Sequence, residues 1–215
     1  MNGKVLVVCA SRGRPEQLER MLASLRQTSS QADVAVYLDH DDQGKYPDPL
    51  PHGAIRAYGQ RIGQCRSLNA LVARMTGYLA YGAATDDSQF LSPGWDQWVL
   101  SATEKFSGPG AMSPYHEGRP SMQPRMDFPW VTAGWIKALG WFAYPHTRSF
   151  YWDVIIEALA LATGRMVYAP KESFSMGHDS LEHINDADVH PDAKEAICYL
   201  ATDMRKAMQA LGSGV

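Results

Sequence analysis

The strongest constraint on the fold is an alternation of short apolar runs and amphipathic segments along the first half of the chain. Residues 4–9, 34–38 and 78–84 are apolar runs of the kind that form strands covered on both faces of a sheet. Between them, residues 15–25 and 65–74 carry apolar side chains at helical spacing. This β-α-β-α-β order predicts parallel strands with right-handed crossovers, and a ligand crevice outside the carboxyl ends of the strands.

The other predicted elements are shorter and less regular. We predict further strands over residues 54–58 and 166–168 and near Ala111 and Val131, and helices over residues 95–106 and 151–163 and after Pro191. Residues 173–190 are expected to be mostly loop. With 215 residues, of which 45% are apolar, the chain has enough material for the core of a single domain.

Charge and cysteine content narrow the functional classes. A formal net charge of −3 argues against the broad cationic surface that supplies non-specific affinity for nucleic acids. The three cysteines, Cys9, Cys65 and Cys198, fit reduced thiols in a cytoplasmic protein, since their number is odd and their spacing does not suit a metal. The first apolar run is too short for a signal sequence or a membrane span, so we expect no membrane anchor.

Acidic residues follow two of the predicted strands. Asp86 and Asp87 come after the last of these strands, where two carboxylates can hold a hard cation that bridges a diphosphate; the alternative is a helix cap or a solvated turn. Asp39 closes the second strand, where it could accept hydrogen bonds from a nucleotide base or a ribose hydroxyl. For its neighbours Asp41 and Asp42 we favour an Asx-turn in an exposed loop.

The loop after the first strand is basic. Ser11, Arg12 and Arg14 combine backbone N–H groups, a helix N-terminus and guanidinium groups, which together favour an anion such as pyrophosphate. Arg66 and Asn69, in the second predicted helix, could add hydrogen-bond donors to this nucleotide site. The alternative for each arginine is an ion pair on the surface.

These features occur in the order and spacing of a known family. We find a resemblance to glycosyltransferase family 2 in residues 11–15 with Leu18 and Leu22, the strand that ends at Asp39, Arg66 with Asn69, the pair Asp86 and Asp87, and residues 93–96. The resemblance covers the first half of the chain and extends more loosely to about His178. It implies a GT-A fold, an α/β domain with a mostly parallel central sheet and helices on both faces. Residues 1–90 would be its nucleotide-binding half, residues 91–190 its acceptor-side half, and residues 191–215 a C-terminal helix.

The resemblance also implies roles for the acidic residues. The first loop would bind the nucleotide, and Asp39 would meet its base. Asp86 and Asp87 would hold Mg²⁺ or Mn²⁺. A strict D-x-D element aligned on Asp86 would need an acid at Ala84 or Ser88, so it is left open which carboxylate binds the metal directly.

Three residues of the second half complete the site that the resemblance implies. Asp153 stands where the family has an acid that begins a helix and acts as general base; the alternative is a helix cap. His178 stands where a later histidine can ligate the metal, and the alternative is a loop histidine without a ligand. Among the aromatic residues nearby, Trp152 is our choice for lining the acceptor pocket.

The expected function is therefore metal-dependent transfer of a sugar from a nucleoside diphosphate donor, with uridine diphosphate (UDP) favoured, to a hydroxyl acceptor, with inversion at the anomeric carbon. The acceptor is left open between a saccharide, a small molecule and a modified DNA base. Two alternatives are kept. A nucleotidyltransferase would usually show a glycine-rich phosphate loop, whereas residues 12–15 contain a single glycine. A non-catalytic nucleotide- or glycan-binding module could use the same fold.

Overall fold

The protein is a mixed α/β molecule, and the computed structural model describes its residues 4–29, 31–118, 124–178, 199 and 202–212. Within these residues the strands are β1 (Val5–Ser11), β2 (Ala32–Asp39), β3 (Ile55–Gly59), β4 (Ala80–Ala84), β5 (Ser88–Phe90), β6 (Ala111–Ser113), β7 (Tyr115–His116), β8 (Trp130–Thr132), β9 (Met166–Tyr168) and β10 (Ser175–His178). The helices are α1 (Pro15–Thr28), α2 (Gln64–Arg74), α3 (Trp95–Thr103), α4 (Ala133–Leu139), α5 (Trp152–Ala162) and a last helix over residues 202–212.

The main sheet has seven strands in the order β3-β2-β1-β4-β8-β6-β9. The strands from β3 to β4 run parallel, β8 is antiparallel to both of its neighbours, and β9 runs parallel to β6. In this register Ser11 lies beside Leu38, and Cys9 lies beside Ala84. The loops after β1, β2 and β4 therefore leave the same edge of the sheet. The predicted α/β fold with a mostly parallel central sheet is confirmed.

Helices cover both faces of this sheet. Leu6 and Val8 of β1 belong to one core cluster, together with side chains of α2 and α5. Val5 and Val7, which alternate with them, belong to a second cluster with side chains of α1 and α3. The apolar stripe predicted for the first helix is buried in that second cluster: Leu18, Met21, Leu22 and Leu25. β1 is thus buried on both of its faces, as its continuous apolar sequence predicts.

A second sheet of three strands, in the order β5-β10-β7, was not predicted. The prediction that residues 173–190 are mostly loop is wrong at its start, because Ser175–His178 forms β10. Met176 of this strand pairs with Phe90 of β5 and is fully buried in the second core cluster. Packing in the core stabilises this short strand, although its local sequence has no pattern that predicts a strand. The sheet places His178 opposite Ser88, close to the end of β4.

The end of the chain is described in part. Residues 202–212 are helical, as predicted for the segment after Pro191, and Leu211 is fully buried against the first core cluster. Residues 179–198, which hold the rest of the predicted loop and the start of that helix, lie outside the described residues. Among the helices of the described ranges, none has the length and apolar character that a membrane span needs.

Candidate active site at the carboxyl edge of the sheet

Two clefts lie side by side at the carboxyl edge of the main sheet. The first has a volume of about 230 Å³ and lies between the loops after β1 and β2 and the start of α2; Ser11 and Asp39 are in its wall. The second has a volume of about 340 Å³ and is lined by residues that include Asp153 and His178. Gln64 and Ser149 line both clefts, so the two are contiguous. We call them the first and the second cleft.

The loop after β1 is held by groups from neighbouring strand ends. The buried Ser11 hydroxyl donates to Asp86 Oδ2 at 2.8 Å and lies 2.9 Å from the Tyr46 hydroxyl. Gly13 has φ of 70°, a left-handed conformation that favours glycine, and its N–H donates to Asp42 Oδ2 at 2.5 Å. The Arg14 N–H donates to the Tyr46 hydroxyl at 3.2 Å. The loop that we expected to bind an anion is therefore fixed by internal hydrogen bonds.

Arg12 joins the ends of β1 and β2. Its Nη1 atom donates to Asp39 Oδ2 at 2.8 Å, and its two terminal nitrogens donate to the two oxygens of Asp41 at 2.7 and 2.8 Å. These hydrogen bonds raise the pKa of Arg12 and lower the pKa of Asp41 to about 2. The ion-pair alternative is thus what the structure shows for Arg12. Its guanidinium is in the wall of the first cleft, where an anion could compete for it.

Asp42 differs from the exposed turn residue that we expected. It is buried, accepts the Gly13 N–H and pairs with Lys45 Nζ at 2.6 Å from its Oδ1. Burial alone would raise the pKa of Asp42, but these donors and the nearby positive charges outweigh it and lower the pKa. Asp42 thus holds the loop after β1 in place. The sequence could not show this, because the contact joins residues from two different loops.

The donors predicted on the second helix lie in different surroundings. Asn69 Oδ1 accepts the backbone N–H groups of Phe142 and Ala143 at 2.8 and 3.0 Å, and Asn69 Nδ2 donates to the Ala143 carbonyl at 2.7 Å. The amide of Asn69 therefore fastens the segment after α4 to α2, and the residue does not line the first cleft. Arg66 is exposed and is also absent from that wall, whereas Arg61, which the sequence did not single out, belongs to it.

The two carboxylates after β4 point to different partners. Asp86 accepts from Ser11, and its Oδ1 lies 3.6 Å from Arg14 Nη1. Asp87 Oδ1 lies 3.3 Å from His178 Nδ1. Burial raises the pKa of Asp86. Burial also acts on Asp87, but hydrogen bonds from His178 and Thr85 outweigh it and lower the pKa of Asp87 to about 2.

The structure thus assembles part of the predicted metal site. It brings Asp87 and His178 together across β4 and β10 and turns Asp86 towards the loop after β1. No group of three or more His, Cys, Asp or Glu side chains that could hold a metal ion is present within the described residues. A carboxylate that stays ionised and an imidazole are suitable ligands for a divalent cation, and further oxygen ligands would have to come from elsewhere.

Asp153 and Trp152 lie where α5 begins, in the wall of the second cleft. Trp152 is 6% exposed and packs on Phe142 with ring centroids 5.6 Å apart, so most of its surface belongs to the core. Burial, and to a smaller extent the negative charge of Asp127, raise the pKa of Asp153. A carboxylate with a raised pKa in a cleft is suited to accept a proton.

Three further polar residues line the second cleft and were missed by sequence reasoning: His116, Arg125 and Asp127. The Asp127 carboxylate lies between the other two, with Oδ2 at 2.7 Å from His116 Nδ1 and Oδ1 at 3.1 Å from Arg125 Nε. The His116 ring also meets the His178 ring edge to face, with centroids 5.3 Å apart. No motif spacing links these residues, because β7, β10 and the segment before β8 bring them together only in the folded chain.

Comparison with known structures identifies the fold. Staphylococcus aureus TarS 1–349 in complex with UDP matches with a TM-score of 0.64 and 11% identity, over 89% of this chain and 64% of that chain. Glucosyl-3-phosphoglycerate synthase from Mycobacterium tuberculosis, in complex with Mn²⁺, UDP and phosphoglyceric acid, matches with a TM-score of 0.63 and 12% identity, over 94% of this chain and 78% of that chain. The chain has a GT-A glycosyltransferase fold.

The match is one of fold alone, since the sequences have diverged widely. No protein-family model matches the chain, and no curated protein sequence matches it. In a second structure of TarS 1–349 the chain spans 60% of that protein, and it spans 40% of a longer TarS chain. The GT-A fold confirms the structural part of the family resemblance.

Proposed function

We propose that the chain is a glycosyltransferase that moves a sugar from a nucleoside diphosphate donor to a hydroxyl group of an acceptor. The observation that carries this proposal is the pair of contiguous clefts at the carboxyl edge of a GT-A sheet. The first cleft has arginine and carboxylate groups for a nucleotide, and the second has a carboxylate with a raised pKa. The structural neighbours were crystallised with UDP, which supports a uridine nucleotide as the donor.

The first cleft would take the nucleotide. Asp39 and Tyr37 lie in its wall, and a carboxylate there can accept hydrogen bonds from a base N–H or a ribose hydroxyl. The Arg12 guanidinium, which binds Asp41 through two hydrogen bonds, could bind a phosphate in the same bidentate way. We therefore propose that the donor diphosphate competes with Asp41 for Arg12, with Arg61 adding a second positive charge.

Asp87 and His178 would hold a divalent cation, with Asp86 as a further candidate if its bonds to Ser11 and Arg14 are exchanged. The pKa of Asp87 is about 2, so this carboxylate is ionised at neutral pH, and carboxylate oxygens suit both Mn²⁺ and Mg²⁺. The imidazole of His178 favours a transition-metal ion such as Mn²⁺ over Mg²⁺. Two structural neighbours contain Mg²⁺ or Mn²⁺ beside UDP. When bound, such an ion would neutralise negative charge on the departing diphosphate.

Asp153 would be the general base. Its position in the wall of the second cleft, next to the cleft proposed for the donor, would allow it to take the proton of an acceptor hydroxyl while that oxygen attacks the anomeric carbon of the donor. The raised pKa makes Asp153 a stronger base than an exposed carboxylate. Attack from the side opposite the leaving diphosphate is a single displacement, which would invert the anomeric configuration.

A thermal-shift panel of nucleoside diphosphates and UDP-sugars, with and without Mn²⁺, tests this proposal. A ligand at 100 times its dissociation constant adds about 2.7 kcal/mol to the apparent stability, so a specific nucleotide should raise the melting temperature by several degrees. We expect the largest rise with a uridine nucleotide and Mn²⁺ together. If no nucleoside diphosphate changes the melting temperature under either condition, the donor assignment is wrong.

A non-catalytic nucleotide-binding module is the second candidate. It is favoured by the ion pairs that occupy Arg12 and by the absence of a three-ligand metal cluster within the described ranges. The two functions differ in turnover. A binding module would show a nucleotide-dependent thermal shift without donor hydrolysis or sugar transfer, whereas the proposed enzyme would show all three.

A further inference from the structure

Two residues form the boundary between the first and the second cleft. Gln64 and Ser149 line both clefts, whereas each of the other described residues in the two walls lines only one of them. Gln64 is the first residue of α2, and Ser149 lies just before α5. A ligand that extends from one cleft into the other therefore passes beside Gln64.

The start of α2 is fixed to the segment before α5. The N–H of Cys65 donates to the Arg148 carbonyl at 2.9 Å. Gly63, just before Gln64, has φ of 86°, a left-handed conformation that favours glycine. The Gly63 carbonyl accepts two hydrogen bonds from Ser67, one from its N–H at 3.0 Å and one from its hydroxyl at 2.9 Å. Gln64 is thus presented from a backbone whose position is fixed on both sides, as a residue that selects a ligand requires.

Under the proposed function, the transferred sugar would lie at this boundary. Its anomeric carbon is bonded to the donor diphosphate, which the first cleft would hold beside Arg12. The same carbon must be reached by an acceptor oxygen whose proton would pass to Asp153 in the wall of the second cleft. The sugar ring would therefore extend from the first cleft towards the second, beside Gln64.

The side chain of Gln64 is suited to a pair of hydroxyl groups. Gln64 is partly buried, and its amide has no hydrogen-bond partner within the part of the chain that the structure describes. A carboxamide has an acceptor oxygen and a donor NH₂ group side by side. Two adjacent hydroxyl groups match this pair, because one can donate to Oε1 while the other accepts from Nε2. A single hydroxyl group makes one of these hydrogen bonds and leaves the other unmade.

We propose that Gln64 binds two adjacent hydroxyl groups of the transferred sugar, and that the donor is therefore a nucleotide hexose with two neighbouring free hydroxyl groups. This inference rests on the proposed glycosyltransferase function and specifies the donor that its two clefts share. Gln64 is a specificity-determining residue in this account, since it contacts the sugar and takes no part in proton transfer.

Calorimetry with Mn²⁺ measures the affinity for UDP and for three donors, UDP-glucose, UDP-galactose and UDP-N-acetylglucosamine. Gln64→Met keeps the length of the side chain and removes both polar atoms. The affinity for the donor that binds most tightly should fall about tenfold in this variant, the value of two neutral hydrogen bonds, and the affinity for UDP should not change. Gln60→Met is the matched control and should keep both parent affinities, because Gln60 is exposed and belongs to neither wall.

Monodeoxy analogues of the donor that binds most tightly show whether hydroxyl groups make the contact. Removal of either of two adjacent hydroxyl groups should weaken binding to the parent protein about threefold, the value of one neutral hydrogen bond. The same removal should have no effect in Gln64→Met, since the partner of that hydroxyl is already absent. Equal losses in the two proteins for every analogue would contradict the inference, because another group would then bind these hydroxyls.

The remaining outcomes separate this inference from the proposed function. An unchanged donor affinity in Gln64→Met contradicts the role of Gln64, and so does an equal loss for UDP and for the donor. A parent protein that binds all three donors no more tightly than UDP contradicts it as well. In each of these cases, hydrolysis of a UDP-sugar by the parent protein would still support the glycosyltransferase proposal. A parent protein that binds no uridine nucleotide contradicts the proposed donor itself, and the inference then fails with it.

Discussion

The two clefts are neighbours, yet they are built from the chain in different ways. The first is formed almost entirely by the ends of adjacent parallel strands and the start of α2, with Ser149 as its contribution from the second half. The second is formed mainly by β7, β10, the segment before β8 and the start of α5, which are far apart in sequence, with Gln64 and Thr85 as its contribution from the first half. The first follows from the topology of a parallel sheet. The second depends on how later segments pack on that sheet.

The clefts differ in electrostatics as well. In the wall of the first, Arg12 is paired with Asp39, and it also binds Asp41 outside the wall and lowers the pKa of Asp41 to about 2. In the second, burial raises the pKa of Asp153, and the negative charge of Asp127 adds to the effect. Paired charges can be exchanged for those of an anionic ligand, whereas a buried carboxylate can accept a proton. This contrast supports the proposed assignment of nucleotide binding to the first cleft and of proton transfer to the second.

The largest expected effect is that of removing the base. Asp153→Asn should lower the rate of transfer by about 10²–10⁴-fold, because a general base typically contributes that much. UDP affinity should stay the same, since the residue lies outside the first cleft. Single-turnover kinetics and calorimetry on one preparation measure both quantities. Parent-like transfer in this variant would remove Asp153 from the mechanism, and a large loss of UDP affinity would break the division between the clefts.

The raised pKa of Asp153 also predicts the pH dependence of transfer. A base acts only when it is deprotonated, so the rate at saturating substrates should fall about tenfold per pH unit below that pKa and stay level above it. Asp127→Asn removes a charge that raises this pKa and should move the midpoint of the profile to lower pH. Profiles between about pH 4 and pH 8 for both proteins decide this. A midpoint that moves to higher pH would contradict the electrostatic account.

The metal ligands should show an intermediate effect. We expect Asp87→Ala to weaken Mn²⁺-dependent UDP binding by about 10–100-fold, because it removes the partner of His178 and, under the proposed function, a ligand of the metal. Asp86→Ala should act less through the metal and more through the loop after β1, since Asp86 accepts from Ser11. Calorimetry with UDP, with and without Mn²⁺, separates the two. Equal losses with and without the metal in Asp87→Ala would contradict its role as a ligand.

The difference between the two clefts explains how much of the site could be predicted from the sequence. The strands up to β4, the stripe of α1 and the place of Asp39 and Asp86 at one edge follow from apolar runs and parallel topology. The pairing of Asp127 with His116 does not, because strands of two or three residues such as β7 have no periodicity to detect. Side-chain direction was also unpredictable: Asp86 and Asp87 are adjacent, yet they point to Ser11 and His178.

A variant of Asp39 tests whether the first cleft binds the base of the nucleotide. Asp39→Ala should reduce the preference for UDP over other nucleoside diphosphates by about tenfold, the value of one hydrogen bond to a charged group, and should change pyrophosphate affinity less. The variant also releases one of the two carboxylates bound by Arg12, which favours phosphate binding and partly offsets the loss. Competition assays with UDP, GDP and pyrophosphate measure these preferences. An unchanged base preference would make Asp39 a structural partner of Arg12 only.

The smallest expected effect separates two exposed arginines that flank the start of α2. Arg61 lines the first cleft and Arg66 does not, although the sequence singled out Arg66. Exposed charges contribute up to about 1 kcal/mol, so Arg61→Ala should weaken UDP binding by about two- to fivefold, and Arg66→Ala should leave it unchanged. The loss in Arg61→Ala should shrink at high salt, because solvent-exposed charges are screened. If Arg66→Ala weakens UDP binding more than Arg61→Ala does, the donor binds beside Arg66 on α2 and not in the first cleft.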